Sequence, residues 1–412
     1  MPEPDKVVQI EAGNSTADLA PRPNPLLPFW NLINHLLAGI AFGFALEKAK
    51  VYLPTVIVRQ MRWSELTMLI AFLTATITGM FAIAILEYFG QYKRKPKPPL
   101  ALFESSIIGK FGNNLIGGSL VGIGMALSGA CPGTVLVQIG AGVPASLYVV
   151  IGTLIGAVTY CYLDNIIVKK LIPSFGSPQP VIVIDNKRVP FLAISIAVSA
   201  VGFPLLWYGT TLIPWRDNFF IDIQKDFHIL LSANASNPFL TIGTVDPSFA
   251  NPAWSPFTAG LGLGLAQLVS VLFTQSVVGA SSVYPYLGSV VVCNLDKNWE
   301  VNAPFYSQFK GKSETLRFSV GVILGGLISF VTSGLNYGGG ISSVRGDLGV
   351  SVGVAVRLIL GGVVLVYGSR VAGGCPSGHG ISGMAQLSLA SLISVAAMFA
   401  GGTVFAFIVG EL

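Results

Sequence analysis

Two glycine-rich stretches contain the residues of this chain that are best suited to chemistry. Each places a cysteine directly before a proline, at Cys131 and at Cys375, and the chain has only four cysteines. Read without gaps, the two stretches are identical at six positions: Gly117/Gly361, Gly118/Gly362, Gly124/Gly368, Gly129/Gly373, Cys131/Cys375 and Pro132/Pro376. Matches at one constant offset indicate an internal duplication.

The proline of each motif predicts a helix that begins there, because proline is favoured at the first helical position. The first backbone amides of a helix have no intrahelical acceptor and can bind an anion. We expect these residues to surround such an anion: Pro132, Gly133, Thr134, Pro376, Ser377 and Gly378. The alternative is that the glycines serve only the close packing of helices.

The sequence leaves the chemical state of Cys131 and Cys375 open. A neutral thiol is a weak donor that suits a soft, sulfur-bearing ligand. A helix N-terminus instead favours the thiolate, which would suit a nucleophile. Cys161 and Cys293 have no glycine or proline context, so we expect them to be packing residues.

Arg370 and His379 flank the second cysteine. An arginine inside an apolar segment is by default functional, although Arg370 lies near the segment end, where a side chain can reach the membrane surface instead. His379 follows Cys375 by four residues and could share a helical face with it; the alternative is a histidine of the core. Four further basic residues are expected to form an exoplasmic vestibule that attracts anions, with a solvated basic loop as the alternative: Lys48, Lys50, Arg59 and Arg62.

The composition places these residues in a membrane protein. Hydrophobic residues make up 52% of the 412 residues and charged residues only 10%, against roughly 25% charged residues in soluble globular chains. The apolar residues form blocks near the ~20 residues that cross a bilayer as a helix, without the alternation of barrel strands. The predicted fold class is therefore all-α and polytopic, with the lipid bilayer as a partner and no nucleic acid.

About nine transmembrane helices are expected to position the motifs. The predicted spans lie near residues 27–46, 66–89, 112–130, 144–163, 190–212, 257–274, 318–335, 349–372 and 387–409. The half-apolar stretches 47–65 and 276–293 are interpreted as re-entrant elements that do not cross the membrane.

Basic loops predict the orientation of the chain, because lysine and arginine accumulate on the cytosolic side. Three basic loops are therefore assigned to the cytosol. The first is Gln91–Pro99, the second contains Lys169, Lys170, Lys187 and Arg188, and the third contains Lys297, Lys310 and Lys312. With nine spans the N-terminus is then cytosolic, and the polar stretch 213–255, with the sequon Asn234-Ala235-Ser236, is exoplasmic.

The duplication and the span count predict four parts of the chain. Residues 1–25 form a disordered tail, 26–163 a first membrane repeat, 164–255 a connector with one transmembrane helix and an exoplasmic loop, and 256–412 a second membrane repeat. Because one odd helix separates the repeats, the second is inverted relative to the first. Inverted repeats with broken helices are typical of secondary transporters.

Three segments resemble the YeeE/YedE family of sulfur-compound transporters: GFALEKAKVYLP (43–54), SGACPGT (128–134) and GSRVAGGCPSGHGISG (368–383). The resemblance implies inverted repeats whose re-entrant loops meet within the membrane. It also implies that Cys131 and Cys375 line a path and pass the ligand on through S–H contacts. Bacterial thiosulfate carriers have a further cysteine in the first re-entrant element, where this chain reads Val51-Tyr52-Leu53-Pro54.

The sequence therefore predicts a multi-pass cell-membrane transporter that takes up a sulfur-containing anion, and the expected anion is thiosulfate. No cofactor and no metal are expected, and a cytosolic sulfurtransferase is a candidate partner. Two alternatives stay open at this point. One is a membrane-embedded thiol enzyme with Cys375 as nucleophile and His379 as base, and the other is a passive channel for small anions.

Overall fold

The computed structural model describes most of the membrane part of the chain. The described residues are 27–102, 107–143, 145–164, 177–178, 181, 189–215, 253–302, 307, 309, 313–333 and 350–409. Several predictions lie outside them: the tail 1–25, the sequon Asn234-Ala235-Ser236, and the basic residues Lys169, Lys170, Lys187, Arg188, Lys310 and Lys312.

Nine long helices make up most of the described structure. They are α1 (Leu27–Lys48), α3 (Thr67–Tyr88), α5 (Gly112–Ser128), α7 (Ser146–Leu163), α8 (Phe191–Leu212), α9 (Pro256–Thr274), α12 (Glu314–Thr332), α13 (Val352–Val371) and α14 (Leu389–Val409). Each begins and ends within a few residues of a predicted span. Seven of them are long and apolar enough to cross a bilayer, and the other two predicted spans are α1, with 22 residues, and α5, with 17. The prediction of an all-α polytopic membrane protein is confirmed.

Shorter elements lie between the long helices. They are α2 (Pro54–Met61), α4 (Ile107–Lys110), α6 (Thr134–Ala141), α10 (Val283–Leu295), α11 (Trp299–Asn302), a 3₁₀ turn (Ala280–Ser282) and a π-helix (Ser377–Gly383). Two short strands, β1 (Leu100–Ala101) and β2 (Ser177–Pro178), pair antiparallel. Helix α2 lies within the first stretch that is interpreted as re-entrant, and α10 begins within the second and ends two residues beyond it. At 8 and 13 residues both are too short to span a bilayer.

The packing of the helices repeats between the two halves of the chain. Helix α1 packs on α12 and α9 packs on α3; likewise α5 packs on α14 and α13 on α7. All of these contacts join one half to the other, as do α1·α9 and α5·α13, and the short α6 contacts α12 as the π-helix contacts α3. In chain order the counterparts are α1 and α9, α3 and α12, α5 and α13, α6 and the π-helix, and α7 and α14. This set of contacts is unchanged when each helix is exchanged for its counterpart, as expected for a duplicated unit. Helix α8 packs mainly on α3 and has no counterpart.

Glycines bring the helix backbones into direct contact. In α1 and α12 two glycines four residues apart face each other, and a Cβ on Gly39, Gly43, Gly321 or Gly325 would overlap a carbonyl oxygen of the facing helix. Small residues at this spacing let transmembrane helices approach closely, so that dispersion contacts replace the hydrophobic driving force that lipid cannot supply.

We expect Gly43→Val to destabilise the fold, because its side chain would overlap the Val322 carbonyl group and force α1 and α12 apart. Overpacking of this kind costs about 1–3 kcal/mol. The matched control is Gly353→Val, since a Cβ on Gly353 of α13 would meet no atom within 4 Å. Thermal unfolding in detergent should show a lower midpoint for the first variant only; an equal loss in both would indicate a helix-propensity effect.

Candidate functional site

The first cysteine motif is a break between two helices. Helix α5 ends at Ser128, and Gly129 adopts a left-handed conformation (φ 58°) that turns the chain. Helix α6 then begins at Thr134, two residues after the proline expected to start it. The Thr134 backbone amide donates to Cys131 Sγ at 3.4 Å, and the Thr134 Oγ1 atom accepts from the Cys131 amide at 2.7 Å. A backbone amide of α6 therefore faces the thiol sulfur.

The second motif has the same construction with a different helix. Gly373, the counterpart of Gly129, also has a left-handed conformation (φ 75°) and follows the end of α13. The π-helix then begins at Ser377, directly after Pro376. The Ser377 hydroxyl lies 3.2 Å from Cys375 Sγ, and both side chains are buried. The backbone amide of Gly378, the residue equivalent to Thr134, also hydrogen-bonds the Cys375 sulfur, so the Ser377 hydroxyl is an additional donor in this motif.

The two motifs meet at Gly133. A Cβ placed on Gly133 would lie 4.0 Å from Cys131 Sγ and 3.9 Å from Ser377 Oγ. It would also lie 3.4 Å from the Cβ of Ala280, in the 3₁₀ turn that precedes α10. Both thiol-bearing loops and this turn thus border one small space, which the absence of a side chain at Gly133 keeps open.

Two residues outside the predicted site hold this junction together. The buried Tyr284 hydroxyl donates to the Pro132 carbonyl oxygen at 2.6 Å and so ties α10 to the first motif. The Gln138 side-chain amide donates to the carbonyl oxygens of Tyr52, at 2.8 Å, and Gly129, at 3.0 Å. Neither residue lies in a cysteine motif, so only their contacts identify them.

Arg370 reaches the same region from α13. Its guanidinium donates to the Ser281 hydroxyl at 2.8 Å and to the Ser281 carbonyl oxygen at 3.1 Å. The Nε atom of Arg370 is buried without a hydrogen-bond partner among the described residues. The side chain therefore points into the protein rather than toward the membrane surface, and one of its donors is available to a ligand.

The predicted vestibule needs correction for Lys48 and Lys50. Both are buried: Lys48 Nζ donates to the Ser333 hydroxyl at 2.8 Å, and Lys50 forms an ion pair with the buried Glu47. The Glu47 carboxylate compensates the charge of Lys50, which allows that side chain to be buried. These lysines are part of the interior and do not form a solvated surface.

Arg59 and Arg62 lie closer to the surface. The Arg59 guanidinium is 3.7 Å from the Glu65 carboxylate, and Arg62 is partly exposed. A different cation, Arg357, lines a cavity of about 390 Å³ beside the first motif. Its Nε atom is buried without a hydrogen-bond partner among the described residues. Polar residues of this cavity include Ser128, Gln138, Ser146 and Ser351.

A family model described as "Sulphur transport" matches residues 48–404. The chain belongs to the sulphur transport family. A "Probable transporter" of Xylella fastidiosa (strain 9a5c) is 27% identical over 160 residues, which cover 38% of this chain and 95% of the relative. A second "Probable transporter", of Xylella fastidiosa (strain Temecula1 / ATCC 700964), is 26% identical over 160 residues with the same coverage. This member of the sulphur transport family is a multi-pass membrane transporter and not an enzyme.

His379 illustrates the difference between the transporter and a thiol enzyme. Its Nε2 atom lies 3.1 Å from the Ala372 carbonyl oxygen and its Nδ1 atom 3.0 Å from the Ser391 hydroxyl. Because a carbonyl oxygen can only accept, Nε2 carries the proton and Nδ1 accepts from Ser391. In this sulphur transporter both ring nitrogens are engaged in joining α13 to α14, so neither is available as a base for Cys375.

We expect His379→Ala to lower the stability of the transporter, because it leaves the buried Ala372 carbonyl and Ser391 hydroxyl without these partners. Leaving a buried group unsatisfied costs about 1–3 kcal/mol. In a double-mutant cycle with Ser391→Ala, thermal unfolding should show that the two losses are not additive. Strictly additive losses would show that the two side chains do not interact.

Proposed function

We propose that the protein takes up a sulfur-containing inorganic anion, with thiosulfate as the substrate, along a path between Cys131 and Cys375. The single observation that carries this proposal is the junction at Gly133, where the first thiol and the hydroxyl next to the second border the same small space. The two thiols come from equivalent breaks in the two halves, as in transporters whose substrate site lies at a repeat interface.

The donors around this space suit an anion with both oxygen and sulfur atoms. The Thr134 amide and the Ser377 hydroxyl are hard donors, which suit oxygen. The thiols are weak, soft donors that suit the terminal sulfur of thiosulfate. Sulfate offers only oxygen atoms, so it would gain less from the two cysteines than thiosulfate does.

The cavity beside the first motif is a suitable entrance to the path. It contains Ser128 and Gly129, which lead directly to Cys131, and Arg357 supplies a positive charge. Arg357 lies near the start of α13, whereas Gly373 follows its end. A helix of 20 residues is about 30 Å long, so cavity and second motif lie toward opposite ends of the membrane part. With a cytosolic N-terminus, the cavity opens to the exoplasmic side.

We further propose that residues 26–163 and 256–412 are two inverted membrane repeats joined by the connector 164–255. The reciprocal helix packing supports this division. Each Xylella fastidiosa relative is covered to 95% by 160 aligned residues, which is about the length of one such half. A cytosolic sulfurtransferase that consumes the delivered anion is the proposed partner.

Radiolabelled uptake into proteoliposomes tests the substrate and the two thiols together. We expect thiosulfate uptake to exceed sulfate uptake. Cys131→Ala and Cys375→Ala should each reduce thiosulfate uptake by about tenfold or more, because each removes a residue of the proposed path. The control is Cys161→Ala, since Cys161 belongs to neither motif and packs against Val292 and Trp299. Equal uptake of both anions, or full activity of either motif variant, would contradict the proposal.

A second uptake series tests the entrance. If Arg357 attracts the anion, Arg357→Gln should reduce initial uptake most at low ionic strength, because the Debye length falls from about 30 Å at 0.01 M to about 10 Å at 0.1 M salt. Arg357→Lys should retain most of the activity. The double variant Arg59→Gln/Arg62→Gln is the comparison, and a salt-dependent defect there instead would place the entrance at the predicted vestibule.

A further inference from the structure

The loop Gln91–Pro99, which the sequence marks only as basic and cytosolic, is bound to the second cysteine motif. The Lys95 amide donates to the Gln386 side chain at 2.7 Å, and the Ser388 hydroxyl donates to the Lys97 carbonyl oxygen at 2.8 Å. Just beyond the loop, the Leu100 amide donates to Asn114 Oδ1 at 2.8 Å. The loop is therefore attached on both sides of Lys97, and the position of that side chain is determined.

The Lys97 ammonium lies against the backbone that carries Cys375. Its Nζ atom donates to the Gly373 carbonyl oxygen at 3.0 Å. A Cβ on Gly378 would lie 3.2 Å from Lys97 Nζ and 3.8 Å from Cys375 Sγ. The ammonium and the thiol thus face the same glycine, and any side chain at Gly378 would separate them.

Two cations approach this thiol without a carboxylate. Neither Lys97 nor Arg370 takes part in an ion pair within the described part of the chain. Burial is the main cause that lowers the pKa of Lys97 to about 8, with Arg370 acting in the same direction and Cys375 against it. The ammonium is still mostly charged near pH 7. Two like charges without a fixed counter-ion disfavour each other, which favours a site whose counter-charge arrives with the ligand.

We propose that Lys97 and Arg370 form an anion-binding site at Cys375, in which the ammonium and the guanidinium bind the oxygens of an oxyanion while the thiol contacts its sulfur. The identity of the bound anion rests on the proposed function. The proposal adds to that function the two positive charges, on Lys97 and Arg370, that hold the anion after it passes Gly133. Lys97 is a binding residue here, and the loop Gln91–Pro99 is part of the transport path.

The same geometry would also allow Lys97 to stabilise a Cys375 thiolate, and a pair of reagents separates the two roles. Iodoacetate and iodoacetamide alkylate a thiolate by the same displacement of iodide and have similar size, but only iodoacetate is an anion. A site that attracts anions changes the ratio of the two rates. A group that only stabilises the thiolate changes both rates equally.

The experiment uses the full chain in detergent, with Cys131, Cys161 and Cys293 replaced by Ser so that Cys375 is the one thiol labelled. Glutamine at position 97 can still donate to the Gly373 carbonyl group, so Lys97→Gln removes the charge with little loss of structure. We expect the iodoacetate-to-iodoacetamide rate ratio to fall at least about fivefold in this variant, as removal of a near charge implies. Lys97→Arg should keep the ratio, as should Lys95→Gln, whose side chain is exposed.

An unchanged ratio in Lys97→Gln, or an equal slowing by both reagents, would overturn the proposed site. Uptake supplies the second readout: with Cys131 and Cys375 present, Lys97→Gln should raise the KM for thiosulfate about tenfold, and Lys95→Gln should leave it unchanged. If the wild-type chain carries no thiosulfate but the labelling ratio depends on Lys97, the substrate assignment fails and the anion site stands. If the wild-type chain takes up thiosulfate but Lys97→Gln leaves uptake unchanged, the substrate assignment stands and the anion site at Lys97 fails.

Discussion

Backbone groups at the two helix breaks need hydrogen-bond partners that the surrounding lipid cannot supply, and much of the interior meets this need. Gln138 binds the carbonyl oxygens of Tyr52 and Gly129, and Tyr284 binds that of Pro132. In the second half, the carbonyl oxygens of Ala372, Gly373, Val278 and Gly380 accept from His379, Lys97, Ser382 and Thr76. Satisfying these groups with side chains keeps irregular backbone stable inside the membrane part.

The same constraint shows where the two halves are equivalent and where they differ. Gln138 and Ser382 are related by the offset that relates Cys131 to Cys375, and each binds a carbonyl oxygen of the stretch that follows the first long helix of its half. Gly129 and Gly373 are also equivalent, but a neutral amide binds the first carbonyl group and the Lys97 ammonium the second. The two equivalent breaks thus differ in the charge of the group that binds their glycine carbonyl oxygen.

Basic side chains are held in two different ways in this protein. Lys50 is paired with Glu47, whose other oxygen accepts from the Ser329 hydroxyl at 2.6 Å, so this cluster is neutral and joins α1 to α12. Lys97 and Arg370 instead hydrogen-bond backbone carbonyl groups, which cannot neutralise a positive charge. The first arrangement stabilises packing, whereas the second retains an electrostatic field that acts on anions.

The sequence by itself determined the helical spans, the duplication and the two cysteine motifs, because apolar length and the Gly-Cys-Pro pattern are local properties of the chain. The six identities have structural counterparts: Gly117 contacts the α13 backbone and Gly361 the end of α5, while Gly129 and Gly373 turn the chain. Only the tertiary structure decided which basic residues face a thiol. In the folded chain Lys48 and Lys50 are buried and Arg357 lines a cavity. Lys97 lies near Cys375, although the two residues are 278 positions apart in the sequence. The positions of lysines along the sequence indicate where charge lies and which loops are cytosolic. The partner of each ammonium group depends on contacts between segments that are distant in the sequence, so no local pattern predicts it.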